Sequence, residues 1–274
     1  MEIGAADALE HFRARHERFF EYSADLERVI EVAFGHTVNT QDRVGLVIVL
    51  LGTRCVRDFR EILLLAANGF GWGATAQLRG MFERLVTAAY LHENPEKVDD
   101  FVEYEFVRRW KGLQAVEQTF GLPPELEKVK TDVASDFRRV RNRFLIPTCE
   151  KCQTTHVNHT WSRLHVVAMA GKVHRLRLAP FLVPAYYLPL AQAHSTLTSI
   201  SSRIGEINPG VFGTDEAKER LEADRTVKYA HLLLLEMLTI QHERFQLIQL
   251  GPLMDRALAH FQYAWSSEND VSPE

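Results

Sequence analysis

Apolar residues recur at helical spacing through most of the chain, whereas strict alternation of apolar and polar residues is rare. The clearest case is residues 73–120, where two long amphipathic patterns meet at Asn94 and Pro95. Proline suits the first turn of a helix, because its missing N–H would have no helical partner there. The pattern therefore predicts an all-α fold with a helix on each side of this joint.

The same periodicity predicts helices along the rest of the chain, separated by clusters of glycine and proline. They cover residues 5–34, 43–68, 125–144, 161–174, 180–204 and 216–249, with a short last helix that ends at 265. Residues 208–215, which contain Pro209 and Gly210, are predicted as a loop. We expect a single multi-helix bundle of about eight or nine helices over 1–265 and a mobile polar tail over 266–274.

Composition and charge place the chain among ordinary soluble proteins, with 46% hydrophobic residues, 25% charged residues and a formal net charge of -4. This charge gives no global argument for nucleic acid or for an anionic membrane. The first residues are too polar for a secretory signal, and the longest apolar run, 44–51, is far shorter than a membrane helix. Three cysteines do not form a secreted disulfide framework, so we expect a cytoplasmic protein with reduced thiols and no membrane partner.

Arg79 and Glu83 are the first candidate site, because residues four apart share a helix face, here with Val86 and Tyr90. Such a pair can hold a phosphate or position a catalytic group. The alternative is a plain i,i+4 ion pair, which stabilises a helix by about 0.2–0.5 kcal/mol.

His194 is the second candidate, because Tyr186, Tyr187 and Leu190 are predicted on the same side of its helix. A histidine beside tyrosines and hydroxyls can act as a general base near neutral pH. The alternative is a core histidine whose nitrogens are satisfied by a hydroxyl or a carbonyl.

A loop rich in cysteine and histidine is the third candidate. Cys149, Cys152, His156 and His159 carry the thiolate and imidazole groups that zinc prefers, with His165 as another ligand for the fourth position. Their spacing is tighter than in a usual zinc finger, so the alternative is a polar loop without metal. A structural zinc ion is the only cofactor that the sequence suggests.

Three stretches together resemble a family of bacterial all-helical proteins known only as a domain of unknown function. They are LRGMFERLVTAAYLHENPEKVDDFVEYEFVRR, WSRLHVVAMAGKVH and YYLPLAQAHSTLTS, and the resemblance covers about residues 51–204. The residues that match its pattern are Arg79, Glu83, Asn94, Pro95, Trp161, Ser162 and His194. Ala191 stands where a serine is usual, which puts a hydroxyl-to-histidine relay in doubt. The resemblance implies a fold and a shared pocket, without an established activity.

That family is in turn similar to HEPN-type helical proteins, many of which are metal-independent ribonucleases of phage defence or toxin systems. Those enzymes carry an arginine and, after four to six residues, a histidine on one helix, and Arg225 and His231 match this spacing. The resemblance implies that the arginine stabilises phosphate charge while the histidine transfers a proton. Thr226 departs from the polar residue usual after the arginine. A surface arginine and a core-edge histidine are the alternative.

Two functions remain open after these patterns. The first is a HEPN-like RNA-processing or toxin and defence effector with RNA as its partner, which would use His194 with Arg79 and Glu83, or Arg225 with His231. The second is a non-catalytic regulatory or protein-interaction protein, with a second copy of the chain as its partner in a homodimer. The chain has no P-loop, no GxGxxG opening a helix after a strand, no HExxH and no GxSxG, so no nucleotide cofactor is expected.

Overall fold

The structure, a computed structural model, describes residues 7–148, 154–208 and 210–266. The α-helices in these residues are α1 (Ala8–Arg15), α2 (Glu17–Glu21), α3 (Ser23–Phe34), α4 (Arg43–Ala67), α5 (Gly71–Glu93), α6 (Val98–Phe120), α7 (Glu125–Val140), α8 (Val166–Ala170), α9 (Leu188–Ala193), α10 (Leu197–Ser201), α11 (Glu216–Phe245) and α12 (Gly251–Trp265). Short 3₁₀ turns cover Pro95–Lys97, Arg141–Phe144, Ala179–Phe181 and Ile248–Leu250, and Leu182–Tyr187 form a π-helical segment.

Two small antiparallel hairpins accompany the helices in the described part of the chain. Their strands are β1 (Leu145–Pro147) with β2 (Thr155–Val157), and β3 (Ile204–Asn208) with β4 (Val211–Thr214). If the π segment and α9 are counted as one element, nine helices within the described residues are seven residues or longer. The predicted all-α class and helix number are confirmed.

The described residues form two compact units. Unit 1 comprises the chain up to Glu93 and from Ala170 onward, and unit 2 comprises Asn94–Met169. The prediction of one domain over 1–265 stays a prediction. Most of the polar tail predicted over 266–274 lies outside the described residues.

Unit 1 is built around α4, α5 and α11, whose long apolar faces pack against one another. Gly71 allows a very close approach of α5 to α11, since a Cβ atom there would lie 2.1 Å from the carbonyl oxygen of Glu219. Near this crossing the buried hydroxyls of Thr75 and Thr226 share a hydrogen bond of 2.7 Å. Among the described residues no helix combines the length and apolar character needed to cross a bilayer.

In unit 2, two side chains of α6 donate hydrogen bonds to a backbone carbonyl at the end of the first hairpin. Tyr104 Oη donates to the carbonyl oxygen of Asn158 at 2.8 Å, and Lys111 Nζ donates to the same oxygen at 2.7 Å. The ring of Phe144 packs edge-on against Tyr104 at 5.2 Å. These contacts fix the start of the loop that carries Trp161.

The helix predicted over 180–204, with a kink or a delayed start at Pro184 and Pro189, is interrupted more than predicted, because a separate helix follows His194. Pro184 and Pro189 lack the N–H groups that a regular helix needs, and the chain forms the π segment and α9 there instead. α9 ends at Ala193, His194 has an extended backbone, and Thr196 then caps the separate helix α10 through the backbone N–H of Ser199. The predicted helix 161–174 is likewise reduced to Val166–Ala170.

Two further boundaries differ from the sequence pattern. The predicted loop 208–215 contains strand β4, because Gly210 takes a φ of 77° and reverses the chain while Val211 and Phe212 favour an extended backbone. The predicted helix 5–34 is divided into α1, α2 and α3 by the non-helical backbone of His16 and Tyr22.

Candidate functional site

Arg79 and Glu83 form the ion pair that their spacing predicts. Arg79 Nε donates to Glu83 Oε1 at 2.7 Å, and both side chains are partly exposed on α5. The guanidinium also lies over the ring of Tyr186, 5.3 Å from its centroid. Tyr186 belongs to the π segment, and segments of this kind occur often at functional sites. The ring of Tyr186 therefore packs against a partly exposed ion pair.

His194 does not interact with that charge pair in the described part of the chain. Its side chain is exposed, and no hydrogen bond, ion pair or ring contact joins it to Arg79 or Glu83 within the described residues. The nearby hydroxyls are occupied, since Thr196 Oγ1 donates to the carbonyl of Ala191 and Ser199 Oγ donates to that of Thr196. The alternative of a core histidine is wrong, because the break after α9 brings His194 to the surface.

His231 is enclosed in a cluster of aromatic rings. It is 4% exposed, with ring contacts to Phe19, Phe59 and Phe261, and its Nδ1 accepts a hydrogen bond of 3.1 Å from Trp265 Nε1. Burial lowers the pKa of His231 from 6.5 to about 4, so the ring is neutral near pH 7.

Arg225 has a partner of its own on the same helix. Its Nη2 donates to the nearly buried carboxylate of Glu222 at 2.5 Å, and Thr226, the next residue, is buried against Thr75. No contact in the described part of the chain joins Arg225 to His231. The structure does not bring these two residues together in an accessible cleft.

Two of the predicted zinc ligands, Cys149 and Cys152, lie outside the described residues. The ring centroids of His156 and His159 are 6.1 Å apart, and Nδ1 of His156 shares a hydrogen bond of 2.9 Å with the hydroxyl of Thr148. In residues 7–148, 154–208 and 210–266 no group of three or more potential ligands is placed to hold a metal. Zinc binding stays a prediction.

A buried carboxylate that the sequence reasoning missed lies between α4 and α5. Asp58 is 1% exposed, with Arg54 Nε at 3.0 Å and Arg84 Nη1 at 2.8 Å. Burial raises its pKa, while the two arginines oppose this rise. Gly80 leaves room for Arg84, since a Cβ atom there would lie 2.7 Å from Nη1. The i,i+4 spacing of Arg54 and Asp58 was the available signal.

An exposed apolar surface was also missed. It comprises Leu197 and Ile200 of α10 with Ile204, Val211 and Phe212 of the second hairpin, and we refer to it as the α10–hairpin surface. Each of these residues exposes between 41% and 81% of its surface. The sequence reasoning had placed them in a helix and a loop.

A third missed feature is a polar cleft in unit 2 with a volume of about 250 Å³. It is lined by Lys97, Asp100, Arg143, Phe144, Trp161, Ser162 and Arg163. Among the matching family positions of the sequence, Trp161 and Ser162 lie here, whereas Arg79, Glu83 and His194 lie in unit 1.

Comparison with known proteins gives a family match. A model of a family of unknown function, DUF5677, matches residues 45–211. The chain belongs to the DUF5677 family. The DUF5677 region runs from α4 into β4 and includes both Arg79 and Trp161. No curated protein and no solved structure matches the chain. Nothing in these comparisons links the chain to HEPN-type proteins, so that resemblance stays a prediction.

Proposed function

We propose that this DUF5677 protein is a non-catalytic interaction protein that forms a homodimer through the α10–hairpin surface. The observation that carries this proposal is the exposure of five large apolar side chains within residues 197–212. Contiguous exposed apolar patches are uncommon on monomeric proteins and often mark interaction sites.

Within each element, the apolar side chains of this surface other than Val211 are directed alike, and Val211, next to Phe212 in β4, is directed to the opposite face of the hairpin. Leu197 and Ile200 are three apart and lie on the same side of α10. In the hairpin, Phe212 is opposite Glu206, and Ile204 is two residues from Glu206, so both apolar residues lie on one face of the ribbon. The elements therefore present grouped apolar contacts to a partner.

The occupant that suits the hairpin best is a second copy of the chain. β3 and β4 form a two-stranded sheet, so each strand has one edge without a partner strand in the described structure. Such edges pair readily with another strand, and a two-stranded hairpin gains stability from further strands. Antiparallel pairing of an edge strand with its own copy satisfies two-fold symmetry, which is the commonest symmetry of homo-oligomers.

The candidate catalytic residues also favour a non-catalytic protein. The buried ring of His231 faces aromatic residues, and Arg225 and Arg79 are each paired with a glutamate. A general base must lie within hydrogen-bond reach of its substrate. No two of the predicted catalytic groups from different helices are in contact among the described residues.

Light scattering coupled to size exclusion tests the proposal over a range of protein concentrations. We expect the native protein to be a dimer, and Phe212→Ser and Leu197→Ser to shift it toward monomer. Ile248→Ser is the matched control, because Ile248 is 87% exposed and lies outside the α10–hairpin surface. A native protein that is monomeric throughout, or variants as dimeric as the control, would overturn the proposal.

The HEPN-like RNA-processing effector is the second proposal. The accessible position of His194 supports it, since a general base has to reach the substrate. The test is incubation of the protein with total RNA in EDTA. If the native protein and His231→Ala cleave the RNA while His194→Ala does not, the proposal is supported. Intact RNA after incubation with the native protein would reject it.

A further inference from the structure

The cleft in unit 2 has a positive balance of charge in its lining. Lys97, Arg143 and Arg163 contribute three cations, and Asp100 contributes one carboxylate. Its volume of about 250 Å³ is slightly below the range of about 300–1,000 Å³ that drug-sized ligands occupy. The cleft therefore suits a small anionic ligand.

The arginines of the cleft differ in how far they are neutralised. Arg143 lies 3.5 Å from Asp100 through Nε and 2.7 Å from Glu103 through Nη1, so its charge is balanced and its position is fixed. Lys97 lies at 3.9 Å from Asp100, which is at the limit of an ion pair. Within the described residues no carboxylate lies at ion-pair distance from Arg163.

The backbone holds Arg163 in an unusual conformation. Its φ is 61°, in the left-handed region that residues other than glycine seldom adopt, and such conformations occur often at functional sites. The hydroxyl of Ser162 closes this turn by donating to the carbonyl of Leu164 at 3.0 Å and accepting from its N–H at 3.2 Å. The loop structure therefore places Arg163 at the cleft.

The guanidinium of Arg163 retains most of its donor capacity. Nη2 makes a weak hydrogen bond of 3.4 Å to the carbonyl of Arg143, which orients the group. An arginine carries five N–H donors in a planar fork that matches the geometry of phosphate. The other donors of Arg163 are thus available to an anion, with the ammonium of Lys97 in the same lining.

We propose that the cleft lined by Lys97, Ser162 and Arg163 binds the phosphate group of a small phosphate monoester. The fork of Arg163 binds two phosphate oxygens, and Lys97 balances the second negative charge. Phe144 and the buried indole of Trp161, which packs edge-on to Phe101 at 5.2 Å, give the remaining part of the ligand an apolar wall. This site is independent of the proposed dimer surface, which lies in unit 1.

Calorimetric titration at constant ionic strength tests the site, with glycerol phosphate, inorganic phosphate and glycerol as separate probes. We expect glycerol phosphate to bind and glycerol to show no heat of binding. Tighter binding of glycerol phosphate than of inorganic phosphate supports a monoester. Equal binding of the two supports the same site with free phosphate as the source.

Arg163→Gly is the decisive variant, because glycine adopts a positive φ without strain while the guanidinium is removed. We expect the affinity for glycerol phosphate to fall about tenfold or more, as for loss of a charge-assisted hydrogen bond. Arg138→Ala, at an exposed position of α7 outside the cleft lining, removes the same charge and should leave the affinity unchanged. Arg163→Asn provides a second variant that tolerates this backbone conformation.

Three results would overturn the proposal. They are the absence of binding by both phosphate probes, equal affinities of Arg163→Gly and Arg138→Ala, and binding of a short single-stranded RNA by a protein that binds neither small probe. The last result would assign the positive charge to a nucleic-acid surface.

Discussion

The enclosed histidine His231 predicts a specific loss of stability in mild acid. Its pKa is about 4 in the folded protein and 6.5 when unperturbed. A depressed pKa means that the unfolded chain binds the proton more tightly, so the contribution of neutral His231 is fully present above pH 6.5. This contribution decreases as the pH falls from 6.5 to about 4 and is lost below about pH 4.

The size of this effect follows from the shift in pKa. At about 1.4 kcal/mol for each pKa unit, the full contribution is about 3 kcal/mol, of which about 2 kcal/mol is lost between pH 8 and pH 5. The titratable groups that line the small cavity beside His231 are Arg18, Tyr22 and His260. None of them is a carboxylate that would stabilise a charged imidazole.

Urea unfolding of the native protein and of His231→Gln at pH 8 and pH 5 measures this term. Glutamine does not titrate, and its amide oxygen can accept the hydrogen bond from Trp265. Between the two pH values we expect the free energy of unfolding to fall by about 2 kcal/mol less in His231→Gln than in the native protein. The exposed His174 gives the control, and His174→Gln should follow the native protein. Equal pH dependence of the native protein and His231→Gln would refute the reasoning.

One further prediction concerns a buried carboxylate of unit 1, and another compares a glycine of unit 1 with a glycine of unit 2. Asp58→Ala should change the free energy of unfolding by no more than about 1 kcal/mol, because burial already disfavours the ionised carboxylate and both flanking arginines reach solvent, so that no buried charge is left unpaired. A loss of about 3 kcal/mol or more in denaturant titration would contradict this reasoning. Gly71→Ala should destabilise by about 1–3 kcal/mol, since the added Cβ meets the backbone of α11. Gly112→Ala in α6 meets no atom within 4 Å and should stabilise by about 0.5–1 kcal/mol. If thermal unfolding shows that Gly71→Ala and Gly112→Ala change the stability in the same direction, this prediction is wrong.

The long helices could be predicted from sequence because their signals are local. α4 begins at Arg43 as the pattern predicts, and its cap, Asp42, accepts a hydrogen bond from the N–H of Gly45. Pro184 and Pro189 predict a kink or a delayed start of the helix over 180–204, but its apolar pattern does not distinguish a π segment from a kinked α-helix. The second hairpin was not predicted, because Pro209 and Gly210 favour a loop.

The candidate sites were predicted only where neighbours in sequence are also partners in space. Arg79 and Glu83 met this condition, since four residues make one turn of a helix. The environment of His231 depends on Trp265 and on Phe19, which are remote in sequence, so its burial had no local signal. The partner of Asp58 on the neighbouring helix, Arg84, was hidden for the same reason.

The order of the central helices along the chain has a consequence for folding during synthesis. α4 and α5 leave the ribosome early, but α11 begins at Glu216, about 120 residues after α5 ends at Glu93. At about 5–20 residues per second, translation of this interval takes about 6–25 s. During that time the apolar faces of α4 and α5 are not covered by α11. The whole of unit 2 is translated within the same interval. We therefore expect the nascent chain of unit 1 to depend on chaperones until α11 emerges, and synonymous codons that slow translation before residue 216 to lower the yield of native protein.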